Sequence, residues 1–323
     1  MDTPPTRQAR RGPVRRAIRW SGTLLVVLVV APPLVNLVAP DNSRTFDVVG
    51  LEETVHTDIR FSNEEHDLSL AGLLFTPADE GPFPAAVMIH GSGPSIRDNG
   101  WYLTMVDYLQ EQGILVLLPD KRGSEQSEGD WRTSSFEDLA SDTQAAITYL
   151  RSLSDLPIST IGVIGLSQGG RIAPIVAADN PDLDWVVNVV GPAVPPHDQL
   201  YYEEVHNLQQ MGFLPGVSNL LAYPSTWSLI NVRDAEFWDA VGNTDPLDDW
   251  KRVDQPTLVL YGEKDSNVPT HDSVERLEEL NKTNLEINVY AGSGHAIEDP
   301  PGQGDSIFRK DALDDIVEFI HAN

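Results

Sequence analysis

Residues 161–170 read Ile-Gly-Val-Ile-Gly-Leu-Ser-Gln-Gly-Gly, a short apolar run that ends in a serine flanked by small residues. The run predicts a buried strand, and the following residues 170–178 predict a helix. A strand that turns sharply into a helix at a serine strains that residue's backbone, so small residues are needed two positions to either side. The turn would expose the hydroxyl of Ser167, and the N–H of Gln168 would point from the helix N-terminus toward a bound carbonyl.

Apolar runs and helical periods alternate along most of the chain. Strands that are apolar throughout, separated by helices, are typical of a mainly parallel sheet covered by helices on both faces, so the fold class is predicted to be α/β. The first two strands are expected to pair antiparallel. The predicted strands span 46–57, 68–75, 85–89, 114–118, 160–164, 185–190, 257–261 and 285–290, and the predicted helices span 102–112, 135–150, 170–178, 273–281 and 312–321.

The alternation breaks between residues 191 and 254, which are rich in aromatic side chains and contain no convincing buried strand. This segment is predicted to be a helical cap inserted into a core formed by 46–190 and 255–323. Most of its aromatic residues should pack the cap onto the core. A few are expected to line an apolar pocket above Ser167, which would suit an ester with an apolar acyl or aryl group.

The N-terminal residues 1–45 predict a basic terminus, a membrane segment and a connector. Residues 20–39 carry no charge and follow six arginines, and such a stretch is long enough to cross a bilayer as a helix. An uncleaved anchor is favoured over a cleaved signal peptide, which stays open. In either case the arginines should stay in the cytoplasm and the remaining chain should be exported, to a periplasmic or extracellular location.

The formal net charge is −27, although the first 40 residues carry +5, which leaves −32 on the rest. Such a surface repels nucleic acids and anionic lipid headgroups, so a nucleic-acid partner is excluded. The acidic, lysine-poor surface is equally consistent with salt adaptation and with ordinary solvation. The chain has no cysteine and no His-Glu-x-x-His pattern, so neither a disulfide nor a metal site is predicted, and no cofactor is implied.

Two further loops come directly after predicted strands. Asp265 follows the strand 257–261, and His295 follows the strand that ends at Tyr290. Ligands bind at the carboxyl ends of the strands in open α/β sheets, so these two residues and Ser167 are candidates for one site.

The chain order of serine, acid and histidine resembles the α/β-hydrolase superfamily, in particular its esterases and dienelactone hydrolases. The resemblance implies that Ser167 attacks a carbonyl, that His295 takes and returns the proton, and that Asp265 orients the imidazole. His90-Gly91-Ser92-Gly93 resembles the family's oxyanion loop. The implied donors are the backbone N–H groups of Ser92, or alternatively Gly91, together with that of Gln168.

The resemblance implies an exported or membrane-anchored serine hydrolase that cleaves small carboxylic esters. A peptidase, an amidase or an acyltransferase of the same fold stays open, as does a binding module without activity. His90 is expected to fasten its loop, and residues 120–127 are interpreted as a mainly structural loop beside the site. Arg97 and Asp98 are expected either to contact substrate or to pair with each other.

Overall fold

The computed structural model describes residues 44–323. Within them, 8 strands form one sheet in the order β1-β2-β4-β3-β5-β6-β7-β8. β1 pairs antiparallel with β2, and β2 pairs antiparallel with β4, whereas all other neighbours are parallel. The strands are β1 (Thr57–Asn63), β2 (Leu68–Phe75), β3 (Phe83–Ile89), β4 (Leu115–Pro119), β5 (Ile158–Leu166), β6 (Trp185–Val189), β7 (Thr257–Gly262) and β8 (Leu285–Tyr290).

Helices cover both faces of this sheet, as the sequence predicts. Alternate residues of the central strands enter two separate cores: Val87 and Ile89 pack with α2 and α3, whereas Ala86 and Met88 pack with α1 and α9. The helices are α1 (Gly100–Glu111), α2 (Phe136–Ser152), α3 (Gln168–Asp179), α4 (Pro196–Gln210), α5 (Pro215–Ser228), α6 (Ala235–Val241), α7 (Leu247–Trp250), α8 (Thr270–Glu278) and α9 (Lys310–Ala322).

The first predicted strand, 46–57, is wrong. This stretch contains a 3₁₀ turn at Leu51–Glu53, and the Glu53 carboxylate accepts the N–H of Gly50 at 3.0 Å. β1 begins where the prediction ends, because Ile59 and Phe61 alternate toward the core and pair along β2. The apolar residue Val55, in contrast, is exposed.

Residues 191–254 contain helices α4 to α7 and a π-helical turn, Leu229–Arg233. Tyr202 of α4 donates a hydrogen bond to the backbone oxygen of Asp265 at 2.8 Å, and Arg276 of α8 donates to that of Ala193 at 2.8 Å. These contacts hold the segment, called the cap below, over the carboxyl edge of the parallel strands.

None of the helices in residues 44–323 is both long enough and apolar enough to span a bilayer. The predicted membrane segment 20–39 lies outside the described residues, so its assignment stays a prediction.

Candidate active site

Ser167 lies between β5 and α3 in a strained conformation, with φ 55° and ψ −117°. The chain fits there only because its neighbours lack side chains. A Cβ on Gly165 would lie 2.3 Å from the oxygen of Gly169, and one on Gly169 would lie 2.0 Å from the oxygen of Ile89. The N–H of Ser167 donates to the backbone oxygen of Val189, in the adjacent strand β6, at 2.9 Å. This bond fixes the turn against the sheet.

The structure brings Ser167, His295 and Asp265 together at the ends of three strands. The Oγ of Ser167 lies 2.9 Å from Nε2 of His295, and Nδ1 of the same ring lies 2.7 Å from Oδ2 of Asp265. The other carboxylate oxygen of Asp265 accepts the N–H groups of Asn267 and Val268 at 2.7 and 2.9 Å. Because Asp265 is buried and holds these donors, its carboxylate is fixed toward the histidine.

The imidazole is also held from the side of α1. The indole Nε1 of Trp101 donates to the backbone oxygen of Ala296 at 3.0 Å, and its ring lies 6.0 Å from that of His295. Asn99 caps this helix by accepting the N–H of Trp101. Trp101 lies near His295 in the fold but 194 positions away along the chain, so it was not predicted as a site residue.

The two proposed donors of the oxyanion loop differ in the structure. The N–H of Gly91 already donates to Tyr102 Oη at 2.7 Å, so it is not free for a substrate. This leaves Ser92 as the candidate from this loop. Gln168 is the first residue of α3. The first N–H groups of a helix have no partner within the helix, so that of Gln168 suits the role of second donor.

Lys121 connects these two sides of the site. Its Nζ donates to the backbone oxygens of Gly91 and, at 2.9 Å, of Gly93, which flank Ser92, and to Oε1 of Gln168 at 3.0 Å. The side chain is buried, and this burial lowers the pKa of Lys121 to about 7. This contact was not predicted from the sequence, where the whole loop 120–127 has a predicted structural role.

The rest of that loop is indeed held by structural contacts. Arg122 binds the carboxylate of Asp142 at 2.6 and 2.9 Å, and Asp120 accepts the guanidinium of Arg97 at 2.9 and 2.8 Å. Arg97 and Asp98 therefore do not pair with each other.

His90 fastens its loop as predicted, because its Nε2 lies 2.8 Å from the oxygen of Pro119. Burial is the main reason that the pKa of His90 is lowered to about 3, which keeps the ring neutral.

Two cavities meet at Ser167. One, of about 250 Å³, is lined by His295 and by polar groups of the neighbouring loops, among them Ser95, Asn99 and Asn267. The other, of about 110 Å³, lies under the cap and is mainly apolar. Its walls include Phe136, Val194, Leu200, Phe237, Trp238 and Val241.

Glu203 of α4 lines both cavities and faces the candidate site from the cap. Partial burial raises the pKa of its carboxyl group, while the nearby His295 acts in the opposite direction. The residue follows no strand, so the rule that identified the three loop residues could not find it.

Within residues 44–323, no three His, Asp or Glu side chains are grouped so that they could hold a metal ion.

Comparisons with known proteins agree with this fold. Residues 70–210 match the dienelactone hydrolase family, and residues 143–302 match the C-terminal domain of the BAAT and acyl-CoA thioester hydrolase family. The esterase Pf2001 of Pyrococcus furiosus superposes with a TM-score of 0.62 at 19% identity, covering 87% of this chain and 95% of that one. The chain thus has the α/β-hydrolase fold.

Two curated relatives are esterases by name. Esterase EstD of Thermotoga maritima is 27% identical over 252 residues, which cover 72% of this chain. This chain spans only 60% of the length of EstD. The bifunctional esterase/perhydrolase DCH of Acinetobacter calcoaceticus is 26% identical, with 76% of this chain and 95% of the relative covered.

Proposed function

We propose that the protein is a serine hydrolase that cleaves carboxylic esters through an acyl-enzyme on Ser167. One observation carries this proposal: hydrogen bonds run without a break from Ser167 through His295 to the buried Asp265. The esterase relatives and the dienelactone hydrolase match support the ester as the substrate.

In the proposed mechanism, His295 Nε2 accepts the proton of Ser167 Oγ as the hydroxyl attacks the ester carbonyl. Asp265 keeps the Nδ1–H tautomer in place and stabilises the imidazolium that forms. The N–H groups of Ser92 and Gln168 hold the oxyanion, and each such donor lowers the barrier by about 3 kcal/mol. His295 then returns the proton to the leaving alcohol. Water next attacks the acyl-enzyme, again with His295 as the base, and releases the acid.

The two cavities suit the two halves of an ester. Because His295 must reach the leaving oxygen, the alcohol belongs in the polar cavity that His295 lines. The acyl group then belongs in the smaller apolar cavity under the cap, which favours short acyl chains. Initial rates on p-nitrophenyl acetate, butyrate, octanoate and palmitate test this: rates that do not fall with chain length would contradict it.

We further propose that residues 20–39 anchor the protein and that the catalytic domain lies outside the cytoplasm. The support is the uncharged stretch and the arginines that precede it. A protease-protection assay on intact cells or spheroplasts tests the orientation, and protection of the catalytic domain on the cytoplasmic side would refute it.

Labelling with a fluorophosphonate probe tests the catalytic proposal. The wild type should label and Ser167→Ala should not, while both unfold at the same urea concentration. A burst of p-nitrophenol equal to the enzyme concentration would identify the acyl-enzyme. A folded wild type that neither labels nor cleaves any ester would refute the proposal.

A thioester is the second candidate substrate, because residues 143–302, just under half of the chain, match the C-terminal domain of the BAAT and acyl-CoA thioester hydrolase family. The charge of −27 opposes it, since coenzyme A carries several phosphate charges. Comparing kcat/KM for acetyl-CoA with that for p-nitrophenyl acetate decides between them, and a matched p-nitroanilide reveals any amidase activity.

A further inference from the structure

The outer surface of the cap is apolar in a protein that is otherwise strongly charged. Residues 207–232 contain no Asp, Glu, Lys or Arg. Six of the ten large apolar side chains that are most exposed within residues 44–323 lie in or directly beside this stretch. They are Leu214 (72% exposed), Val217 (40%), Leu220 (70%), Tyr223 (66%), Trp227 (61%) and Val232 (66%).

Helix α5 is oriented against the usual pattern of a surface helix. Its buried residues are Ser218, Ala222 and Thr226, which are small and recur every four positions. The large side chains of Leu220 and Trp227 point outward instead. A helix of a soluble protein normally turns its apolar side chains to the core, so this arrangement indicates that something apolar covers the outer side.

We propose that this surface, formed by Leu214, Leu220, Tyr223, Trp227 and Val232 and called the cap face, rests on a lipid bilayer with neutral headgroups. The leucine and valine side chains would enter the region where the headgroups meet the acyl chains. The rings of Tyr223 and Trp227 match the level of the headgroups, where aromatic side chains with one polar end are enriched.

The start of the described chain supports this orientation. Arg44 donates to the backbone oxygens of Asp299 and Gly304 at 2.7 Å each, in the loop between β8 and α9. This loop and the cap both lie at the carboxyl edge of the sheet. The four residues 40–43 extend over about 14 Å at most, so an anchor ending at residue 39 would hold this edge close to the bilayer.

Charge favours a neutral bilayer over a second copy of the chain. The part of each copy after residue 40 would bring a net charge of −32 to the contact, and this repulsion opposes association. An anionic bilayer is disfavoured for the same reason. A zwitterionic bilayer surface carries no net charge, and the cap face contains no charged residue, so neither repels the other.

A groove lies between the cap and the oxyanion loop. Its volume is about 460 Å³, and it extends from Leu229, directly after α5, to Ser92 and Gly93 of the oxyanion loop. Phe237 and Trp238 form part of its wall. The charged residues Arg132, Arg233, Asp234 and Glu236 also line this groove, so it would give an ester that leaves the bilayer a partly polar route to the oxyanion loop.

The inference rests on the proposed anchoring but not on the chemistry of Ser167. The absence of native cysteines allows a single label in the full-length protein. Leu220→Cys and Val55→Cys, each labelled with the fluorophore NBD, are reconstituted in phosphatidylcholine vesicles. Val55 is a matched control, since it is 78% exposed and contacts Gln110 near the end of α1, at the opposite edge of the sheet.

NBD at position 220 should shift to shorter wavelength and be quenched by lipids brominated on the acyl chain, whereas NBD at position 55 should not. A protein that floats with the vesicles but shows the same spectrum at both positions would refute the docking alone. A protein that does not float would refute the anchoring and the docking with it. Fluorophosphonate labelling of the same samples reports separately on the proposed hydrolase.

A double variant, Leu220→Glu with Trp227→Glu, tests the function of the contact. Both side chains are exposed, so the fold should be retained. Activity on the acetate ester of a long-chain alcohol, carried in the vesicles, should fall about tenfold or more, because two apolar contacts with the bilayer are lost. Activity on soluble p-nitrophenyl acetate should stay unchanged. Equal loss on both substrates, or dimers that form through this face in detergent, would contradict the proposal.

Discussion

Replacing Lys121 by methionine tests whether its ammonium group holds the two proposed oxyanion donors in position. The substitution keeps an unbranched side chain but removes every donor of the ammonium group. In the wild type this group ties the oxygens of Gly91 and Gly93, on either side of Ser92, to the side chain of Gln168. Without it, the two proposed oxyanion donors lose their common support.

The expected kinetic effect follows from the energy of one donor. A properly placed backbone donor lowers the barrier by about 3 kcal/mol, or 10² to 10³ in rate. Lys121→Met displaces the donors without deleting them, so kcat should fall by about 10². KM should change little, because these contacts strengthen only as the oxyanion forms.

The same variant should change how stability depends on pH. Burial lowers the pKa of Lys121 from 10.5 to about 7, so folding releases a proton between these two values. The wild type therefore loses stability as pH falls from 10.5 through 7, by an amount on the order of 5 kcal/mol at 1.36 kcal/mol per unit. Methionine does not titrate, so the stability of the variant lacks this contribution.

Steady-state kinetics with p-nitrophenyl acetate at pH 7 and urea unfolding between pH 6 and 10.5 measure both effects. Lys251→Met serves as the control, because the Lys251 side chain is exposed and its Nζ pairs with Asp248 at the surface. Wild-type kcat in Lys121→Met would refute the positioning role. A stability difference that does not vary with pH would show that the ammonium is not desolvated in the folded protein.

Three other substitutions test separate parts of the site. Asp265→Asn should lower kcat by roughly 10³ to 10⁴ with a nearly unchanged unfolding midpoint, because the amide favours the wrong tautomer of the imidazole; a loss below tenfold would contradict this. Tyr102→Phe leaves the N–H of Gly91 without its acceptor, so urea unfolding should show a loss of about 1–3 kcal/mol, and unchanged stability would refute the assignment. Glu203→Gln removes a negative charge from both cavities, so kcat/KM for a hemisuccinate ester relative to the neutral butyrate ester should rise roughly tenfold. An unchanged ratio would show that this carboxylate does not act on the acyl group.

The sheet and the three loop residues could be predicted because both follow from local sequence. Apolar runs of strand length identify the buried strands, and parallel strands bring their carboxyl ends to one edge. Ser167, Asp265 and His295 each come directly after such a run, so their proximity follows from the topology alone. The glycines around Ser167 add a steric requirement that is visible in the sequence.

Lys121 and Trp101 could not be found in this way. Their contacts are with residues far along the chain, and nothing in their own neighbourhoods distinguishes them from structural side chains. Lys121 lies in a loop whose other charged residues serve the fold, and Trp101 reaches the histidine loop only after α1 has packed. The first strand was predicted wrongly for a different reason. Residues 46–57 alternate as a strand would, but the ladder with β2 is formed by the seven residues 57–63.

Three of the six non-glycine residues with positive φ within residues 44–323 lie in the loops of the candidate site. Besides Ser167, two β-branched residues have positive φ: Val190, at 49°, and Ile297, at 55°. Such conformations are costly for branched side chains and persist only where the surroundings enforce them. Val190 follows β6 at the carboxyl edge, and Ile297 follows His295 by two residues. Both lie in the loops around Ser167, so part of the folding free energy is used to hold this edge rigid, which is what an oxyanion site built from backbone amides requires.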